Sequence, residues 1–231
     1  ALHSQMVRRN FAGVFKNPEF RAYCTMLIIG ILLVTWGLTR VSPDVDAGQA
    51  FRSAAFTVVS INTTTGFVTN DFNLWPEYLK LFLLAIMMVG GCSGSTSGSF
   101  KVIRIIILLK IIMRELKNLV HPRAIFHVKV GDKTVDADDL SNVAALTFLF
   151  IGFTALGGVI LSSMGVDLTT ALSATVASLF NVGPGLGDVG AMGNYSSIPA
   201  MGKGVLIFFM LLGRLEIYGV ILLFLPMTWR K

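Results

Sequence analysis

The sequence predicts an all-α integral membrane protein of two repeated units, each a span, a short helix with an irregular segment behind it, and a second span. Three observations predict it. Of 231 residues, 54% are hydrophobic and 14% charged, against about 25% charged in soluble domains, and the mean hydropathy is +0.72. Four apolar stretches, at about 22–39, 79–113, 143–164 and 204–225, are long enough to cross about 30 Å of hydrocarbon. Two further apolar segments, 47–61 and 167–180, are too short: helices of about 14 residues reach only about 21 Å.

Each element follows from its residues. Residues 1–21 form a basic cytoplasmic linker ahead of the first span, 22–39. The short helix 47–61 runs into Asn62-Thr63-Thr64-Thr65-Gly66-Phe67. The second span is interrupted by Gly90-Gly91-Cys92-Ser93-Gly94-Ser95-Thr96-Ser97-Gly98. Glycine costs about 1 kcal/mol per position in a helix interior, so four in nine residues predict a flexible intramembrane loop. A helix-packing seam would account for Gly90, Gly94 and Gly98 but not for Gly91 and the hydroxyl residues. Residues 114–140 form a cytoplasmic loop in which Asp136, Asp138 and Asp139 read as a solvated face. The third span, 143–164, is followed by the second short helix, which leads into Asn181-Val182-Gly183-Pro184-Gly185-Leu186-Gly187. The fourth span, 204–225, completes a second repeat over 141–231, the first covering 22–113.

Charge sets the topology. Of 19 Lys and Arg residues, 14 lie in three segments flanking spans: Arg8 to Arg21, Lys101 to Lys133, and Arg230 with Lys231. That is the positive-inside pattern. A nucleic-acid surface would need its basic residues on one soluble domain, and no segment is long enough to make one. Residues 1–21, 114–140 and 230–231 fall inside, and the loops near 43–44, 71–77 and 188–199 outside. Both short helices therefore enter from the external side.

The two units align. Placing Gly66 over Gly183 puts Thr64-Thr65 over Asn181-Val182, and Pro76 and Lys80 match Pro199 and Lys203 across a six-residue insertion. Each unit has two full crossings, so both sit the same way up, unlike inverted transporter repeats. Irregular backbone at membrane depth is tolerated only inside protein or against a water-filled cavity, and carbonyls aimed at a common axis make an ion filter. The pattern implies an ion pore. Gly66 and Gly183 supply conformations open mainly to glycine, with Thr64, Thr65, Asn181 and Val182 contributing neighbouring carbonyls. External turns would use similar residues, but two such turns behind sub-spanning helices favour the filter. The C-terminal, partly negative helix ends point toward the pore centre, which suits a cation.

Arg214 lies mid-way along the fourth span, two residues before Glu216. A charge at that depth costs about 2.5–3.5 kcal/mol on insertion scales and faces a cavity or a partner. Its spacing from Glu216 puts the two on different helix faces. Two readings stand: a structural pair with another helix, or a fixed positive charge that contacts the glycine-rich loop and hinders cations. Cys24 and Cys92 read as small apolar residues, and His3, His121 and His127 lack metal-ligand spacing. No catalytic constellation appears, so the chain is not read as an enzyme. An ion-coupled secondary transporter with discontinuous helices is the alternative.

The motifs "INTTTGF", "GGCSGSTSGSFKVIR", "HPRAI", "NVGPGLG" and "LLGRLEI" resemble, in order, the superfamily of Trk, Ktr and HKT potassium transporters, nearest the membrane subunits of bacterial Trk systems. The resemblance implies four repeats around a pseudo-fourfold pore in the bacterial plasma (inner) membrane, of which this chain carries the third and fourth. It implies potassium as the transported ion, with Thr64, Thr65, Gly66, Asn181, Val182 and Gly183 as the filter. The gate is then the loop containing Gly90, Gly91, Gly94 and Gly98, together with Arg214. No cofactor is implied in this chain. The implied partners are the N-terminal half of the same protein, a second copy in a homodimer, membrane lipid, and a cytoplasmic nucleotide-binding regulatory ring. A natural half-length subunit that pairs with itself or a homologue is the other possibility.

Overall fold

The computed structural model describes residues 11–41, 46–124, 126–131, 133–224 and 229. Arg8, Arg9, Arg230, Lys231 and the external turn at 43–44 lie outside the described residues. A short helix, α1 (Phe11–Lys16), precedes α2 (Pro18–Val41). Pro18 at the first helical position, where its missing N–H costs nothing, and the Asn17 Oδ1, which accepts the Glu19 N–H at 2.9 Å, start α2 four residues ahead of the expected span. Among the described residues, helix α2 and the later α6 (Ala137–Ser163) are the two single helices long and apolar enough to cross a membrane. Most of the apolar surface of α2 is exposed, including Ile28, Ile29, Leu32 and Trp36, while Val34 is buried.

The two short helices are α3 (Ala47–Asn62) and α7 (Leu168–Leu179). Both start on an aspartate: Asp46 accepts the Gly48 N–H, and Asp167 accepts those of Thr169 and Thr170. Capping of this kind is worth about 1 kcal/mol. Helix α7 is the most enclosed element, with nine of its 12 residues buried, nearly all Ala, Ser and Thr. Small side chains let neighbouring backbones approach, and Gly157 and Gly158 of α6 lie against Thr175 and Leu172 of α7. Each short helix packs against the long helix before it and the helix after it.

Those following helices depart from the expected spans. The second span is two helices, α4 (Glu77–Met87) and α5 (Val102–Val120), with a non-helical break wider than 90–98 between them. The break is a closed loop: Val89 and Phe100 form a parallel bridge, and Gly90 N–H donates to Phe100 O at 2.9 Å. The fourth span is also broken. Helix α8 (Ala200–Arg214) ends at Arg214, and α9 (Ile217–Phe224) leaves at 112°. Glu216, at φ 58°, makes the corner. A carboxylate on a continuous span would face lipid; at the corner it reaches Arg104 of α5 at 3.1 Å. Segment 114–140 is not wholly loop: α5 extends to Val120, and β1 (Lys129–Val130) pairs antiparallel with β2 (Lys133–Thr134), so Lys129 faces Thr134. Among the described residues this ladder and the Val89–Phe100 bridge are the only β pairings in an otherwise helical chain.

The core runs between the two units. Phe150 of α6 stacks on Phe180 at 5.0 Å and meets Phe100 edge-on at 5.7 Å. The end of the second short helix and the base of the closed loop thus share one aromatic cluster.

Candidate functional site

Behind each short helix the backbone closes in the same way. Thr64 and Asn181 stand at φ 55° and 56°, in the left-handed region. Thr64 N–H donates to Ile61 O at 3.1 Å and Thr65 N–H to Ser60 O at 2.9 Å. Asn181 N–H donates to Ser178 O at 3.1 Å and Val182 N–H to Ala177 O at 2.9 Å. These paired bonds are the Schellman closure, whose left-handed position is usually glycine. Asparagine tolerates it; threonine, β-branched, is an outlier there. The Thr64 hydroxyl is tied in place, because its oxygen accepts the Gly98 N–H at 3.1 Å.

The two segments then meet. Gly66 (φ 75°) lies so close to its neighbour that a Cβ would come within 2.6 Å of Val182 O. A Cβ on Gly183 (φ 113°) would sit 3.8 Å from the Gly66 Cα. Among the described residues no donor reaches the carbonyl oxygens of Thr64, Thr65, Gly66, Asn181 or Val182. Gly183 O is different: the Tyr195 hydroxyl donates to it at 2.7 Å. Farther out, Asn73 clips the two units together, its Nδ2 donating to Gly187 O at 2.9 Å and its Oδ1 accepting the Gly187 N–H at 3.0 Å.

The closed loop after α4 lies against the second segment. Gly98 has no room for a side chain, since a Cβ would lie 2.5 Å from Phe180 O. The Ser99 hydroxyl bridges Met87 O (2.9 Å) and Phe180 O (3.0 Å). Gly90 packs against Gly98 O at the loop base, Gly91 N–H donates to the Ser97 hydroxyl, and Gly94 (φ 84°) turns the chain where nothing else approaches. Three charged side chains hold the loop. Arg214 Nη1 donates to Thr96 O at 2.8 Å. Lys101 Nζ donates to Ser95 O and Ser97 O at 2.9 and 2.6 Å. Glu19, buried at the start of α2, accepts the Ser93 N–H and, at 2.7 Å, the Ser93 hydroxyl.

A cavity of about 250 Å³ opens beside this loop, lined by its serines, by Lys101, Arg104 and Arg214, and by Glu216. Arg104 and Glu216 pair across it, both carboxylate oxygens at 3.1 Å from Nη2. Arg214 and Glu216 do not pair with each other; Arg214 goes to the loop instead. The arrangement brings together carbonyls that have no donor among the described residues and a loop held by the fixed positive charges of Arg214 and Lys101.

Every residue named from the sequence as a filter or loop position falls in this one region, including Arg214 with its contact to the loop. The sequence does not single out several participants: Lys101 reads only as a basic flank, Glu19 only as part of the linker 1–21, and Tyr195 and Asn73 as ordinary loop residues. Only Glu19 carries a signal: an acid directly behind Asn17-Pro18 marks a helix start and therefore a fixed position.

The chain is 41% identical over 225 residues to the Trk system potassium uptake protein TrkH of Halomonas elongata, covering 96% of this chain and 46% of that protein. It is 37% identical over 227 residues to TrkH of Escherichia coli K12, with the same coverages of 96% and 46%. Its fold matches the crystal structure of the potassium transporter TrkH from Vibrio parahaemolyticus with a TM-score of 0.86 at 38% identity, over 94% of this chain and 46% of that one. The chain thus spans about half the length of the relatives it matches. Residues 22–231 match the family described as the TrkH cation transport proteins, and this chain, a membrane protein, belongs to that family.

Proposed function

We propose that the chain is the half of a potassium-conducting membrane pore that contributes two of four filter segments. Residues 64–66 and 181–183 line the ion path, and the loop at 88–101 acts as the gate. The observation that carries this reading is the pair of similarly closed backbone segments that meet at Gly66 and Gly183 and present a set of carbonyl oxygens without donors among the described residues. Carbonyl oxygens without a protein donor are available to replace the water of an ion, and an ion stripped of its water is a partner for several at once. The matching caps and closures support reading 22–113 and 141–231 as two pore repeats. Two segments cannot surround an ion; the relatives carry about as much chain again, and that half would supply the other two.

Relatives named as potassium uptake proteins make potassium the proposed ion, and a transport family points away from an enzyme. We place the assembly in the bacterial inner membrane, as a homodimer that docks a nucleotide-binding ring on the basic cytoplasmic face between 114 and 140 and needs no cofactor of its own. Helix α5 and the β1–β2 hairpin give that face a defined shape, with Lys117 over the ring of Phe126.

The test is ion selectivity in the full-length protein, expressed in cells lacking other potassium uptake. Gly66→Ser and Gly183→Ser both place a side chain on left-handed backbone. Gly66→Ser must also push Val182 O aside, whereas Gly183 has space, so Gly66→Ser is the more severe change. Both variants should lower the ratio of potassium to sodium uptake. An unchanged ratio in both, with normal membrane insertion, rejects the filter.

A further inference from the structure

We propose that the Tyr195 hydroxyl is a specificity-determining group that fixes the Gly183 carbonyl of the second filter segment, a role that has no counterpart in the first. The inference rests on the filter reading above. Its evidence is a difference between two otherwise matching pieces of chain. Aligning Pro76 with Pro199 places Phe72 opposite Tyr195. Each opens a single 3-10 turn, Phe72–Leu74 and Tyr195–Ser197. Each turn is capped by the residue before it, Asp71 accepting the Asn73 N–H at 3.0 Å and Asn194 accepting the Ser196 N–H at 2.9 Å. Each is clamped by the matching lysine, Lys80 on Asn73 O at 3.2 Å and Lys203 on Ser196 O at 3.3 Å.

The turn therefore forms with or without a hydroxyl. Phe72 is buried with its ring edge-on to Trp75 at 6.3 Å, and Gly66 O has no donor among the described residues. Tyr195 instead lies beside Ser178, Asn181 and Val182 and sends its hydroxyl to Gly183 O at 2.7 Å. Burial raises the phenol above its usual pKa, partly offset by Ser178, so it remains a donor through neutral pH and beyond.

A carbonyl has two lone pairs. Engaging one fixes the direction of the other and resists the shift by which a carbonyl would close on a smaller ion. Selectivity that depends on the number and field of coordinating carbonyls is then sharpened on one side of the ring. With phenylalanine at 195 the carbonyl is free to follow the smaller ion.

In the full-length protein, Tyr195→Phe should lower the potassium-to-sodium uptake ratio about three- to tenfold, the size of one neutral hydrogen bond, while potassium uptake at matched expression changes little. Two companions decide the meaning. Asn194→Ala loosens the same turn but keeps the hydroxyl; a fall in the ratio there with none in Tyr195→Phe makes the turn, not the hydroxyl, responsible and overturns the proposal. Gly183→Ser tests the filter itself. A changed ratio in Gly183→Ser with none in Tyr195→Phe rejects the role of Tyr195 and leaves the filter standing. No change in either rejects both.

Discussion

Arg214→Ala should raise potassium flux through the full-length protein by about tenfold or more. Arg214 ends α8 and donates to Thr96 O at 2.8 Å. A hydrogen bond from a charged group is worth about 1.5–3 kcal/mol. The guanidinium faces a cavity, so the lower figure applies. At about 1.4 kcal/mol per tenfold, losing the bond shifts the loop's closed-to-open ratio by about one order of magnitude. Release is incomplete, because Lys101 still holds Ser95 O and Ser97 O, and Glu19 still holds Ser93. A second contribution, repulsion of the passing ion by the guanidinium, acts in the same direction and makes tenfold a lower bound.

Arg214→Lys separates the two effects, since it keeps the charge and loses the planar fork of donors. It should give a smaller rise than alanine. A deletion within 94–97 should also raise flux. Combined with Arg214→Ala, it should add less than the sum, because both changes act on one barrier. The assay is initial potassium uptake at matched membrane expression. If Arg214→Ala leaves flux unchanged, or abolishes it in folded protein, Arg214 is a structural residue and the gating role is wrong.

Two further outcomes follow from the contacts that anchor the site. Glu19→Gln keeps one acceptor oxygen but loses the charge that takes both Ser93 donors; the loosened loop should raise uptake about three- to tenfold on the same hydrogen-bond scale, and reduced uptake at normal expression would refute a restraining role. Asn73→Ala removes both bonds to Gly187, at about 1–3 kcal/mol together; its thermal unfolding in detergent should come several degrees earlier, and an unchanged transition would show that the external clip carries no stability.

What the sequence determined by itself was what composition and local chemistry decide. Hydropathy over 22–39 and 143–164 marked the two long helices, which the structure extends at their starts through Asn17-Pro18 and across the acidic run at 136–139. Asp46 and Asp167 mark helix starts locally, and Gly66, Gly183 and the run at 90–98 announce irregular backbone, because glycine's freedom and its cost in a helix are properties of one residue.

The remainder was decided by tertiary structure. Hydropathy reads 204–225 as one span because a single corner costs little average apolarity; no local feature announces that the chain bends at Glu216 or that Arg104, more than a hundred residues earlier, receives its carboxylate there. Nothing local says that Thr64, a poor left-handed residue, will be held there by the Gly98 amide, or that Gly98 must be bare because Phe180 O lies against it. Lys101, Glu19 and Tyr195 look like a flank, a linker acid and a loop aromatic until the chain folds and sets them on the carbonyls and amides of distant segments. Hydrogen bonds to backbone leave no residue-type signature in the partner, so only the folded chain reveals which polar side chains hold the loop and the carbonyls.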